Sequence, residues 1–361
     1  MADKVMSEGH RGNPKTSAPS LEAKETSGRN GFSNLLRVIA AFGVVCGHVA
    51  TRAIYNDPNP ANPQWVFAAC FGIFCLWTLP CFIMISGDMY AARGETRFRF
   101  DRWWRRMRRI LSLTIAAGIA FILISWLVVQ DIQEIGIVSA ALGGRPFQHL
   151  WYMYFVVGLY ALAPLVMRIP SLVSQRVFWA GIFVLFALSF YGGLPGQPIA
   201  WKIPFALCLV SYFLIGAQLR NWPKPGRAET WFWIFAFFVA GFASTYAGYL
   251  VMQGGYGILA AFALGGSLGG PFAAVMAVAV FRLVRLLPVP GWSARLAPAT
   301  FLIYIIHPLW ILIFDHFGLP VYWHGNLVGI PVVCVGVLFA STVSALTMRW
   351  IKQKALGFLP A

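Results

Sequence analysis

Long apolar runs separated by short polar segments make up the chain from residue 33 onward. Each run is 18 to 23 residues long, which matches the roughly 20 residues that an α-helix needs to cross a bilayer. Ten such runs are present, at 33–52, 65–87, 110–129, 148–168, 176–193, 202–220, 230–251, 271–288, 297–316 and 328–350. The pattern therefore predicts an all-α integral membrane protein with about ten transmembrane helices.

The rest of the chain falls into two tails and two irregular places. Residues 1–32 are rich in Ser, Gly, Lys, Glu and Asn, which predicts a disordered cytosolic tail. We assign residues 33–352 to the ten-helix membrane domain and 353–361 to a short cytosolic tail. Within the membrane domain, the Gly-rich stretch 252–270 predicts an irregular outer segment, and Pro80 predicts a kink in the second run.

Composition and charge support the membrane class and orient the chain in the bilayer. The sequence is 59% hydrophobic and 11% charged, too apolar for a soluble domain of this length. Its net charge of +16 could indicate nucleic-acid binding, but the chain leaves little room for solvent-facing domains. When the N-terminus is placed inside, the cytosolic segments hold 24 of the 28 Lys and Arg residues and the outer segments hold three. This asymmetry predicts that both termini are cytosolic.

The six cysteines all lie within apolar runs, and none has a metal-ligand spacing with histidine. A disulfide framework would place cysteines in outer loops. We therefore interpret them as small apolar packing residues, and we predict no metal site.

The first run carries two ionisable residues, Arg37 and His48, with ten residues between them. Eleven helical steps bring His48 to within roughly 20° of the face that holds Arg37 and about 16 Å further along the axis. Charge inside an apolar span is costly, so it usually faces a cavity or a partner. The simpler interpretations are that Arg37 snorkels to the inner interface and that His48 makes a polar contact with a neighbouring helix. Their shared face favours a functional pair, with His48 as a general base.

Other residues suited to chemistry cluster at the predicted membrane boundaries. Five arginines lie between Arg102 and Arg109, where they can anchor topology, attract anionic lipid headgroups or bind a phosphorylated ligand. His149 stands near the start of the fourth run, and it is followed by Trp151, Tyr152 and Tyr154, for which an aromatic belt is the simpler interpretation. No Asp or Glu is central in any run, which argues against a proton-coupled transporter.

Four stretches along residues 33–316 together form a recognisable combination. They are Arg37-x10-His48, residues 82–87 (FIMISG), residues 150–165 (LWYMYFVVGLYALAPL) and residues 300–309 (TFLIYIIHPL). In this order they resemble the bacterial membrane-bound acyltransferase type 3 family, which includes O-acetyltransferases of surface polysaccharides. Arg106-x-x-Arg109 is similar to the family's basic loop element. The chain departs from the family at Asn34, where many members carry an aspartate.

The resemblance implies ten helices in a bacterial inner membrane, an acyl-CoA donor that enters from the cytosol and an acceptor at the outer face. With it we expect His48 and Arg37 to be catalytic, and the CoA phosphates to bind to Arg105, Arg106 and Arg109. The cavity and acceptor residues are expected to be Asn34, His149, Trp151, Tyr152, Tyr304 and His307. No permanently bound cofactor is expected, because acetyl-CoA or another acyl-CoA acts as a co-substrate.

These expectations combine into one hypothesis with two alternatives. The hypothesis is an O-acyltransferase that moves acetyl from acetyl-CoA to a hydroxyl of a surface polysaccharide or lipid-linked glycan, with His48 as the base or as the acyl carrier. Its partners would be membrane lipids, the glycan and either a second copy or a polysaccharide-assembly protein. One alternative is a transporter or flippase of such a glycan, and the other is a non-catalytic subunit of an envelope complex.

Overall fold

The computed structural model describes residues 21–56, 59, 61–92, 100–128, 151–192, 202–252, 268–321 and 324–357, and the regular structure in these ranges is helical. The helices are α1 Leu21–Asn56, α2 Pro63–Ile73, α3 Thr78–Ala91, α4 Phe100–Val128, α5 Trp151–Val166, α6 Ile169–Leu172, α7 Gln175–Gly192, α8 Lys202–Leu219, α9 Arg227–Met252, α10 Pro271–Leu283, α11 Gly291–Leu296, α12 Thr300–His316 and α13 Asn326–Gly357. Short 3₁₀ turns follow α10 at Val284–Leu286 and α11 at Ala297–Ala299.

Most of the described residues in each of the ten predicted runs are helical, and the second run is divided between α2 and α3. Six of the described helical stretches are long and apolar enough to cross a membrane, at Gly31–Asn56, Pro63–Ala91, Trp151–Leu172, Arg227–Leu250, Gly291–His316 and Asn326–Lys354. The prediction of an all-helical, multi-pass membrane protein is confirmed for the described residues. The number of ten spans and the cytosolic position of both termini stay predictions.

A turn over residues 74–77 separates α2 from α3, so the second run is bent as predicted. Within it, the N–H of Cys75 bonds the carbonyl of Gly72 at 3.0 Å, which is the tighter spacing of a 3₁₀ turn. Pro80 accounts for the position of the bend. It has no N–H to donate to the carbonyl four residues earlier, and its ring clashes with that carbonyl in a regular helix. The break therefore lies in the turn before the proline.

The backbones of helices α3 and α8 approach each other closely. A Cβ atom at Gly87 would overlap the carbonyl oxygen of Phe213, and one at Gly216 would overlap that of Met84. Only glycine permits this separation, because any larger residue would push the two helices apart. Helices α1 and α10 pack against α3 of this pair.

Helix α1 is central to the bundle, since it contacts α2, α3, α11, α12 and α13. Its face with Arg37 and His48 therefore meets other helices. By contrast, α9 leaves an aromatic face exposed, including Trp231, Phe235 and Phe242. Such a face suits contact with lipid chains, as expected for a membrane helix.

Several sequence predictions meet the structure at the edges of the described residues. Helix α1 begins at Leu21, inside the segment predicted to be a tail, and the domain division itself stays a prediction. Most of the Gly-rich segment near 252–270 lies outside the described residues, and so does His149. All six cysteines are free thiols, so no disulfide links them.

Candidate active site

Two cavities lie along the face of α1 that carries Arg37 and His48. The first, here called the Arg37 cavity, has a volume of about 450 Å³ and is lined by residues of α1, α3, α4, α5 and the region from 297 to 304. The second, the His48 cavity, has a volume of about 190 Å³ and is lined by α1, α5, α12, residues 72–79 and Leu268. On the face of α1 predicted from helical periodicity, both Arg37 and His48 therefore line a cavity.

Tyr152 of α5 and Tyr304 of α12 line both cavities and form the wall between them. Their rings are 5.6 Å apart between centroids and meet at 69°, an edge-to-face arrangement. Both side chains are buried. The two tyrosines that the sequence assigned to the cavity thus occupy the junction between the Arg37 side and the His48 side.

Arg37 is half-buried, and its Nη2 contacts the sulfur of Met89 in α3. Arg109 of α4 lines the same cavity from the opposite side. A thioether is only a weak acceptor, so Met89 positions the guanidinium without neutralising it. Two guanidinium groups on one cavity provide planar donors that suit phosphate or another anion.

The arginines of α4 lie in three different surroundings. Arg109 faces the Arg37 cavity, and the guanidinium of Arg106 lies 5.9 Å from the ring centroid of Tyr90. Arg105 instead pairs with Asp101 at 3.3 Å on the exposed surface. Of the three arginines predicted to bind the donor, the structure brings Arg109 to the cavity, keeps Arg106 against α3 and turns Arg105 outward.

His48 is half-buried, and its ring centroid lies 5.0 Å from that of His307 in α12, with the planes tilted by 43°. His307 is fully buried. Its Nδ1 lies 3.2 Å from the carbonyl oxygen of Ile303, and because a carbonyl only accepts, Nδ1 carries the hydrogen. The structure therefore pairs the two histidines that the sequence placed in separate runs.

The remaining predicted site residues are distributed unevenly. Trp151 lines the His48 cavity, where it is part of the aromatic lining with Tyr152 and Tyr304. Asn34 is half-buried one turn before Arg37, and it is not among the described residues that line either cavity. Its assignment to the acceptor site stays a prediction, as does that of His149.

Sequence reasoning missed a buried ionic cluster near the Arg37 end of α1. Asp88 of α3 accepts hydrogen bonds from Arg220 Nη1 at 3.2 Å and from Ser33 Oγ at 3.3 Å. Arg285 donates to the carbonyl of Leu219 at 2.8 Å, and so fixes the end of α8 beside this pair. The signal in the sequence was a single carboxylate directly after an apolar run, opposite arginines that end other runs on the same predicted side.

A second ion pair, between a buried arginine and a half-exposed glutamate, lies in the same region. Arg282 of α10 is 1% exposed and donates to Glu229 Oε1 of α9 from Nε at 2.9 Å and from Nη2 at 2.6 Å. The Trp233 indole donates to the same oxygen at 2.9 Å. The ring of Trp222 lies 5.5 Å from the Arg282 guanidinium. Arg282 is thus held in place by a carboxylate and an aromatic ring.

Comparison with protein-family models matched an acyltransferase domain over residues 30–348. No curated protein matched the chain, and no solved structure matched it. The matched range begins just before Arg37 and contains both cavities, the tyrosine wall and the pair of histidines. Since the match covers most of the chain, the protein belongs to the acyltransferase type 3 family of membrane proteins.

Proposed function

We propose that the protein is an O-acyltransferase of the bacterial inner membrane. It moves acetyl from cytosolic acetyl-CoA to a hydroxyl of a surface polysaccharide or lipid-linked glycan. The observation that carries the proposal is the pair of cavities on one face of α1, one with two guanidinium groups and one with an imidazole. A reaction between an anionic donor and a neutral hydroxyl needs these two kinds of group.

The Arg37 cavity is suited to the donor. CoA carries phosphates, and Arg37 with Arg109 offers donors that can bind phosphate oxygens bidentately. Arg106 lies one turn before Arg109 and adds positive charge to the same part of α4. The excess of Lys and Arg in the predicted cytosolic loops supports entry of the donor from that side.

The acyl group would then have to pass the tyrosine wall. Arg37 and His48 are separated by about 16 Å along α1, so a donor held by its phosphates must extend towards His48 to react there. Tyr152 and Tyr304 border both cavities and therefore flank this path. The narrower His48 cavity favours a small acyl group such as acetyl over a long chain.

Chemistry in the His48 cavity follows from the neutral imidazole. His48 takes the proton of the acceptor hydroxyl. At the same time, the hydroxyl oxygen attacks the thioester carbonyl and forms the new C–O bond. The C–S bond then breaks, and the CoA thiolate leaves and receives the proton from His48, which returns to its neutral form. Trp151, Tyr152 and Tyr304 offer aromatic faces on which a sugar ring can stack.

The test is acyl transfer by purified protein in lipid nanodiscs, with isotopically labelled acetyl-CoA and the envelope glycan fraction as acceptor. We expect His48→Ala to reduce transfer by roughly 10²- to 10⁴-fold, the usual contribution of a general base. Arg37→Ala is expected to lose transfer as well. Tyr55→Ala is a matched control, because Tyr55 lies on the same helix and is exposed to solvent.

Full activity in both His48→Ala and Arg37→Ala would overturn these roles. Movement of glycan across the bilayer without any dependence on acetyl-CoA would instead support a transporter. A complementary observation is mass spectrometry of the envelope glycan with and without the gene, where the proposal requires loss of an ester-linked acetyl mass.

A further inference from the structure

His307 is a polar side chain in the described site whose full burial is not explained by packing alone. It is fully buried, and its ring centroid lies 5.0 Å from that of His48 and 5.9 Å from that of Tyr304. Burying a polar ring costs free energy unless its polar atoms are used. An aliphatic residue would fill the same volume without that cost.

The bond to Ile303 fixes which nitrogen of His307 can act as a base. Because Nδ1 donates its hydrogen to the Ile303 carbonyl, a neutral His307 has its lone pair on Nε2. The carbonyl belongs to the preceding turn of α12, so the orientation of the ring is set by its own helix. His307 thus offers a fixed hydrogen-bond acceptor beside His48.

We infer that His307 is a positioning residue for His48: it holds the His48 imidazole in one orientation and accepts a hydrogen bond from it while His48 carries the proton of the acceptor hydroxyl. The inference rests on the proposed function, since it assigns a partner to the base of that reaction. His307 does not contact the thioester or the hydroxyl itself. Its effect is transmitted through His48.

The pairing of the two histidines solves a problem that a lone base in an apolar bundle would have. When His48 takes a proton, a positive charge forms in an apolar part of the bundle, where uncompensated charge is costly. A neutral acceptor on the neighbouring ring would lower that cost without placing a permanent charge beside His48. A carboxylate there would hold the proton and slow its return to the leaving thiolate, whereas an imidazole shares it and releases it.

Substitutions at His307 can separate its two nitrogens. Asparagine places an amide nitrogen near the position of Nδ1 and can keep the bond to Ile303, but it has no acceptor at the position of Nε2. Glutamine reaches the position of Nε2 and restores an acceptor there. Phenylalanine fills the volume and provides neither. His307→Asn and His307→Phe therefore remove the acceptor, and His307→Gln keeps it.

The experiment measures kcat and the donor KM for these three variants in nanodiscs, together with their thermal unfolding. We expect His307→Asn and His307→Phe to lower kcat by about 10- to 100-fold, in line with loss of a hydrogen bond to a charged group. His307→Gln is expected to recover at least part of that loss, and the donor KM should stay unchanged in all three. Trp310→Phe is the matched control, because Trp310 bonds Ser344 of α13 from the next turn of α12, at 3.1 Å.

The inference is overturned if the Asn and Phe variants keep the wild-type kcat. It is equally overturned if all three variants lose kcat in parallel with thermal stability, since that result indicates a structural role. Measuring His48→Ala beside them separates a failure of the proposed function from a failure of the inference about His307. If His48→Ala transfers acetyl normally, the proposed function fails, whereas an inactive His48→Ala with a fully active His307→Asn refutes this inference alone.

Discussion

The two ends of the functional face of α1 differ in the kind of polar group that surrounds them. Fixed charges surround Arg37. Arg109 lines the same cavity, and a nearby ion pair joins Asp88 to Arg220, whose Oδ1 and Nη1 atoms are 3.2 Å apart. Around His48 the described neighbours carry no fixed charge: His307 lies 5.0 Å away between ring centroids, and the cavity is lined by residues such as Thr51, Thr78 and Trp151. The cavity is also larger at the charged end, about 450 Å³ against about 190 Å³. Under the proposed function, the Arg37 end binds the anionic donor and the His48 end moves a proton.

The difference follows from what each task requires. A phosphate-bearing donor is recognised by guanidinium groups that keep their charge at all working pH values, and these need a buried framework to hold them. A general base must instead be neutral before it acts, so fixed charges close to it would be a disadvantage. The separation of charge and imidazole along one helix therefore allows both tasks in a single apolar bundle.

The largest expected effect on stability is at the charged end. Asp88→Asn removes the carboxylate that Arg220 and Ser33 bond, and it leaves a buried guanidinium without its counter-ion. Breaking a buried pair by removing one partner typically costs about 3–5 kcal/mol. We expect a decrease of that size in the free energy of unfolding, measured by denaturant titration in detergent micelles.

Asp315→Asn provides the control at the opposite end of α1. Asp315 pairs with Arg52 at 3.0 Å, but the Arg52 side chain is 48% exposed, so solvent screens the pair. Such pairs contribute about 0.2–1 kcal/mol. Equal losses of stability in the two variants would contradict the contrast between a buried framework at one end and a solvated pair at the other.

A smaller effect is expected at the arginines of α4, which test whether the charged cavity binds the donor. Arg109→Gln should raise the donor KM by about 10- to 100-fold, because it removes charged hydrogen bonds to phosphate. Arg105→Gln should change it by less than about threefold, since Arg105 pairs with Asp101 on the exposed surface. The measurement is steady-state kinetics with acetyl-CoA as the varied substrate. Matching shifts in both variants would show that the whole cluster acts as one diffuse positive field.

The smallest expected effect concerns the wall between the cavities. A double-mutant cycle with Tyr152→Leu and Tyr304→Leu measures how strongly the two rings depend on each other. Their edge-to-face contact at 5.6 Å predicts a coupling free energy of unfolding of about 0.5–1.5 kcal/mol. A coupling near zero would mean that the tyrosines line the cavities independently and do not form a joined wall.

Helix positions and the functional face could be predicted from the sequence because both depend on local periodicity. Apolar runs of membrane length fall on helices, and the bend before Pro80 follows from the missing N–H of proline. The spacing of Arg37 and His48 likewise needs only the 3.6-residue repeat. These features are determined by residues close together in the chain.

The contacts that complete the site could not be predicted in this way. Asp88 and Arg220 are 132 positions apart, and neither local sequence indicates that the two side chains form an ion pair. The same holds for Tyr152 with Tyr304 and for His48 with His307, which meet only because α1, α5 and α12 share one interior. The division of the α4 arginines depends on the rotation of that helix against α3 and α5, which a run of similar residues does not define.

Donor binding, measured apart from acyl transfer, tests most directly whether Arg37 serves the donor and His48 serves proton transfer. The measurement is the Kd of a non-hydrolysable acetyl-CoA analogue for His48→Ala and Arg37→Ala in nanodiscs, beside the transfer rate of each variant. We predict that His48→Ala binds the analogue with wild-type affinity but does not transfer acetyl, and that Arg37→Ala binds it at least tenfold more weakly, about 1.4 kcal/mol. Normal binding by Arg37→Ala together with lost binding by His48→Ala would contradict both roles.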